Sequence, residues 1–258
     1  MTAGEVADGV VVETSHHNGM DAWLYRPAHA DGPLPALAIG AEATGINTFI
    51  HDVARTLAAH GFVTMVPDYY RGNGPADPED YSDTEEIMRH VAALDFARGT
   101  HDLMTAFGHL VEHPAVDPGR VGVWGYCTGA TLAWLTAGLR HDTALAVLFY
   151  PSQPVFDELS PTRPVSPLDL VWNLPCPTYF IYGTDDPLMP PELLTTLRNR
   201  LQHWDIDHVI RMFEDCGHSF GAPVPGGQNL GAYQQAWDEA VSYASTVLRA
   251  NHIDSKGS

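Results

Sequence analysis

The pentapeptide Gly125-Tyr126-Cys127-Thr128-Gly129 constrains this 258-residue chain more than any other feature. An apolar run, 121–124, leads into it, and a run rich in Ala and Leu, 128–139, leads out. A strand, a sharp turn and a buried helix in that order put the central residue on a tight elbow, where flanking glycines avoid clashes that other side chains would make. The elbow lifts Cys127 above the sheet and sets its thiol at a helix N-terminus, whose dipole favours thiolate. The plain alternative is a buried structural cysteine.

The rest of the chain alternates short apolar runs with amphipathic ones. Residues 22–26, 34–40, 62–67, 121–124, 144–150, 178–182 and 208–213 read as strands. Helices are expected at 51–60, closed by Gly61, from Thr100 to a stop at Pro114, and at 128–139 and 193–201. In a final helix Trp237, Ala240, Val241, Ala244, Val247 and Leu248 share one face. The pattern predicts an α/β protein, a mostly parallel central sheet with helices on both faces, built as one domain over 1–258. Two stretches lack periodicity. Residues 73–80 are rich in Pro, Gly and Asp. Residues 151–177 hold seven prolines but also Val155, Phe156, Leu168, Leu170, Val171 and Trp172, too apolar for a disordered linker. This second stretch reads as a packed excursion near the active site, against the alternative of an insertion on a sheet edge. Residues 255–258 read as a frayed tail.

If Cys127 is a nucleophile, an acid and then a base should follow it in chain order. Tyr182-Gly183-Thr184-Asp185-Asp186-Pro187 ends an apolar strand and offers Asp186 as the acid, with Asp185 as its competitor. Either carboxylate could instead serve only a turn or a helix cap. His218, in Asp215-Cys216-Gly217-His218-Ser219-Phe220, follows the last strand and offers the base. The chain has 14 histidines, so it is position and not residue type that singles this one out. No H-E-x-x-H and no Cys/His set with zinc spacing is present, so no metal site is expected.

Charge narrows the partners. Thirteen basic against 32 acidic residues give a formal net charge of -19, which disfavours nucleic acid and repels anionic substrates unless a local cation overrides the field. Cys127, Cys176 and Cys216 are too few and too odd in number for a disulfide framework, which fits a reducing compartment. No apolar run approaches the roughly 18 residues of a membrane span, and the first residues lack the pattern of a signal peptide. A cytoplasmic protein without a membrane partner is expected.

Five stretches taken together have a further meaning: Glu42-Ala43-Thr44-Gly45-Ile46-Asn47, Pro67-Asp68-Tyr69-Tyr70-Arg71, 125–129, 183–186 and Gly217-His218-Ser219-Phe220. In their order and spacing the chain resembles the dienelactone hydrolase family over roughly residues 20–250. The resemblance implies an α/β-hydrolase fold and a cytoplasmic, cofactor-free hydrolase of lactones or small esters; a monomer or small homo-oligomer is expected. It implies a triad of Cys127, His218 and Asp186. It gives Glu42 the role of taking the thiol proton, which suits a buried carboxylate with a raised pKa. It assigns the oxyanion hole to the amides of Thr128 and Ala43, and a substrate carboxylate to Arg71, whose plain alternative is a surface ion pair. Gly221-Ala222 stand where the family's namesake carries a second arginine, so poor activity on dienelactone and better activity on neutral or larger lactones and esters are expected. Two other readings use the same pocket: an acyl-transfer or thioesterase-like enzyme, and a non-catalytic ligand binder. The intact Cys127, Asp186, His218 and Glu42 argue against the last.

Overall fold

A computed structural model describes residues 5–7 and 9–254 of the chain, with side chains over 9–249. The expected frayed tail at 255–258 lies outside the described residues. The elements run β1 (Glu5–Ala7), β2 (Val10–His17), β3 (Met20–Pro27), β4 (Leu34–Gly40), α1 (Thr48–Ala59), β5 (Val63–Pro67), α2 (Thr84–Ala93) and α3 (Phe96–Glu112). They continue through β6 (Val116–Tyr126), α4 (Thr128–Leu139), β7 (Ala146–Phe149), β8 (Thr178–Gly183), α5 (Pro191–His203), β9 (His208–Phe213) and α6 (Leu230–Asp254).

Among the described residues the nine strands form one sheet in the order β1-β2-β3-β5-β4-β6-β7-β8-β9. The β1, β2 and β3 edge is antiparallel, and β3 also meets β5 antiparallel. From β5 through β4 to β9 every pairing is parallel. The central strands are buried along their length, as strands covered by helices on both faces must be. Each needs a crossover to run parallel, and each crossover brings a loop to the carboxyl edge of the sheet. Ligands bind in the crevice outside that edge.

Local chemistry fixes the helices near the edge. Asn47 caps α1 by accepting from the Ile50 amide at 3.1 Å, and Gly61, with φ of +90°, lets the chain leave. Helix α4 is buried nearly all round, since it runs beneath the 151–177 excursion as well as against the sheet. That excursion is not structureless: Pro167–Asn173 forms a 3-10 helix whose Leu168, Leu170 and Val171 are buried. The structure also extends the sequence reading. Strand β6 begins at Val116 and shifts register against β4 before its regular stretch, and α2 and β2 are elements that the apolar pattern did not announce.

Candidate active site

Four strands of the parallel sheet deliver four side chains to its carboxyl edge. Glu42 follows β4, Cys127 follows β6, Asp186 follows β8 and His218 follows β9. The elbow after β6 is as tight as its glycines imply. Cys127 has φ of 50° and ψ of -116°, a conformation costly for a residue with a side chain. A Cβ on Gly129 would fall 2.1 Å from the Gly40 carbonyl carbon, so helix α4 can start against the end of β4 only because no side chain intervenes.

His218 Nε2 lies 3.2 Å from Cys127 Sγ, and its Nδ1 lies 2.9 Å from Asp186 Oδ2. The other oxygen of Asp186 accepts from the Leu188 amide at 2.9 Å, which fixes the carboxylate's orientation. Asp186 is buried, whereas Asp185 is exposed and takes a hydroxyl hydrogen bond from Thr184. Asp186 and not its neighbour therefore faces the imidazole. Burial by itself would lower the pKa of His218. Electrostatic and hydrogen-bond interactions with Cys127 and Asp186 outweigh it and hold the imidazole up at about 10. The geometry sets the imidazole between the Cys127 sulfur and the Asp186 carboxylate.

Glu42 is buried on another wall of the same cavity. Burial pushes its carboxyl up to about 7, against hydrogen bonds and the His218 charge that pull it down. The donors are the hydroxyls of Tyr81, at 3.0 Å, and Tyr150, at 3.2 Å. In this arrangement the thiol meets His218, and Glu42 meets two phenols. The backbone beside Glu42 is held as well. Tyr69 donates to the Glu42 carbonyl at 2.5 Å and Tyr70 to the Ala43 carbonyl at 2.9 Å. With the carbonyls of this loop tied back, the Ala43 amide is left without an acceptor among the described residues, and so is the Thr128 amide at the start of α4.

The cavity measures about 680 Å³, and its exposed lining is mostly apolar. Ile87, Met88 and Val91 of α2 form one wall, and Pro154, Val155 and Phe156 of the excursion form another. The 151–177 stretch thus shapes the site. Arg71 does not. Its guanidinium grips buried Asp102 through two bonds of 2.9 and 2.6 Å and donates to the Asn18 carbonyl at 2.7 Å, and Arg71 is not among the residues lining the cavity. Its positive φ of 54° turns the chain after Tyr70 and aims the side chain toward α3. Among the described residues, the arginine in the cavity wall is Arg163. Sequence reasoning missed it because it sits in a proline-rich stretch without period. It missed Tyr81 and Tyr150 because neither belongs to a motif. Among the described residues no group of three or more His, Cys, Asp or Glu side chains is set to hold a metal ion.

Known proteins resemble this chain in sequence and in fold. The dienelactone hydrolase family matches residues 20–248. A Bradyrhizobium protein assigned by name as a 2-oxo-3-(5-oxofuran-2-ylidene)propanoate lactonase is 32% identical over 222 residues, 86% of this chain and 87% of that one. An Escherichia coli K12 protein assigned by name as a carboxymethylenebutenolidase is 27% identical over 89% of this chain and 83% of its own. A crystal structure from Klebsiella pneumoniae, assigned by name as a dienelactone hydrolase, superposes with a TM-score of 0.81 at 25% identity and covers 92% of this chain and 99% of that one.

Proposed function

The chain belongs to the dienelactone hydrolase family and is a hydrolase, and from that premise we propose that it opens a lactone or cleaves a small carboxylic ester through Cys127, His218 and Asp186. The observation that carries this reading is the 3.2 Å approach of His218 Nε2 to Cys127 Sγ, with Asp186 behind the imidazole. The names of the relatives point to lactones as the substrate class.

The thiolate of Cys127 attacks the carbonyl carbon, forming a C–S bond as the carbonyl π electrons move to oxygen. The amides of Thr128 and Ala43 meet that oxyanion, two preorganised donors that need no reorganisation as charge develops. Collapse of the tetrahedral species breaks the ring C–O bond, and the His218 imidazolium gives its proton to the departing oxygen. Water then attacks the thioester, with neutral His218 taking its proton, and the C–S bond breaks to return the thiolate and the hydroxy acid. Asp186 keeps the imidazole in register and stabilises its charge. Glu42 is the reserve acceptor: when the thiol is protonated, a buried carboxyl with a pKa near the working pH is the group that can relieve it.

The test is turnover of a five-membered unsaturated lactone and of p-nitrophenyl acetate by the wild type and by Cys127→Ala and His218→Ala. Losses of at least about a thousandfold in each variant are expected. A folded Cys127→Ala protein that keeps a tenth of the activity would end this reading.

A further inference from the structure

The net charge of -19 makes an anionic substrate unwelcome unless a cation stands inside the cavity. Among the described residues that line it, Arg163 is the one Arg or Lys. We propose that Arg163, and not Arg71, is the residue that selects the substrate, by holding an acidic group carried on an arm away from the scissile carbonyl. The proposal rests on the reading of Cys127 as the nucleophile of this cavity.

Four observations support it. The first is that Arg163 is not neutralised: among the described residues no carboxylate comes within ion-pair distance, although Asp157 lines the same cavity. Contrast Arg71, whose charge is spent on Asp102. The second is that the guanidinium is only partly satisfied. One terminal nitrogen donates to the carbonyls of Ala92 at 3.0 Å and Val91 at 3.4 Å, while Nε is buried with no acceptor. A cation so placed, partly out of water and short of acceptors, gains from a carboxylate more than an exposed arginine does.

The third is that the side chain is preorganised. Ser160 and Arg163 exchange backbone hydrogen bonds of 3.0 Å across a tight turn, and the Thr162 carbonyl accepts from the Ala97 amide at 3.0 Å. The guanidinium carbon then lies 5.4 Å from the Phe96 ring centre and 5.9 Å from that of Phe156. Backbone and aromatic faces together fix the fork before any ligand arrives, so little ordering cost falls on binding. The fourth is position. Among the described residues Arg163 makes no hydrogen bond or ion pair with Cys127, His218 or Glu42, and its neighbours are the end of α2 and the start of α3. The cavity that Arg163 shares with the reacting groups has a mostly apolar lining, with Phe156 and Val91 among its residues. The matching substrate is a lactone or ester with its acid at the end of an apolar spacer.

Arg163 also caps the carbonyl end of α2, and the test must separate that role from substrate selection. The probes are mono-p-nitrophenyl glutarate and its methyl ester, which differ only in the remote charge. In the wild type the free acid should have the higher kcat/KM. Arg163→Gln should lower kcat/KM for the acid ten- to a hundredfold, mainly through KM, and leave the methyl ester within about twofold. Arg163→Lys should recover part of the loss. Equal losses on both esters would mean a structural role alone, and no loss on either would mean that Arg163 meets no substrate; each result overturns the proposal. Calorimetric binding of glutarate needs no turnover. It should weaken at least tenfold in Arg163→Gln, and unchanged binding would refute the anchor. If the wild type cleaves neither ester yet binds glutarate through Arg163, the anchor stands and the catalytic reading falls.

Discussion

Tyr81 donates its hydroxyl to Glu42 Oε2 at 3.0 Å, which fastens the loop leading into α2 to the buried acid of the cavity that Cys127 and His218 line. The same hydroxyl accepts from Asn47 Nδ2 at 2.7 Å, so one phenol joins the cap of α1, the acid and the cavity wall. In Tyr81→Phe the carboxylate of Glu42 loses a donor that lowers its pKa. Its pKa should rise further, and the acid limb of the single-turnover acylation rate should move to higher pH. A limb that stays in place would show that Glu42 does not titrate in the reaction.

Glu42 should also leave a mark on stability. A carboxyl whose pKa rises from 4.5 to about 7 on folding favours the protonated form in the native state. That benefit is complete below the unfolded value and is lost as pH rises from there through 7, so above neutrality the fold carries the cost of a buried charge, on the order of 3 kcal/mol. Glu42→Gln removes the charge and keeps a group that can bond to Tyr81 and Tyr150. Urea melts at pH 5 and pH 8 should show the variant gaining on the wild type at the higher pH, while its acylation rate falls. A stability difference independent of pH would contradict the burial argument.

His218 titrates in the opposite sense. Its folded pKa of about 10 lies above the ordinary 6.5, so its contribution to stability is complete below 6.5 and fades as pH rises through 10. Interactions with Cys127 and Asp186 outweigh burial to hold it there, and Cys127→Ala removes one of them. Imidazole titration by NMR should show the His218 pKa fall in Cys127→Ala. An unmoved value would mean that the thiolate is not the partner.

Much of this was legible in the chain, and what was not has physical causes. The elbow, Asp186 and His218 were readable because a strained turn and a strand end need particular residues at fixed offsets. Strand β2 was not, because its second half is polar on both faces, with Thr14 and His16 exposed and Glu13, Ser15 and His17 only partly buried on the antiparallel edge. Helix α2 was not, because Val91 is its one buried residue and the rest of its apolar side lines a cavity instead of a core. Arg71 was misjudged for a related reason. Its place after Pro67-Asp68 matched a motif, but the direction of its side chain was set by a buried partner 31 positions later.

Arg71 and Asp102 give a prediction of their own. Asp102 is 1% exposed and holds both of its oxygens against the guanidinium, so Arg71→Ala would strand a buried carboxylate. The expected loss is about 2–4 kcal/mol in denaturant unfolding. The ratio of kcat/KM for an acidic ester to that for its methyl ester should stay as in the wild type. A collapse of that ratio in Arg71→Ala would return the role of anion anchor to Arg71.

The central claim is that Cys127 becomes covalently acylated. The direct measurement is intact-protein and peptide mass spectrometry after mixing with p-nitrophenyl acetate and quenching in acid within the first turnover. One acetyl group should appear on the peptide that contains Cys127, at up to one per chain, and decay as p-nitrophenol release settles to its steady rate. Cys127→Ala should carry none, and His218→Ala should acquire it far more slowly. Turnover in the wild type without any adduct on Cys127, or an adduct that never decays, would contradict the account.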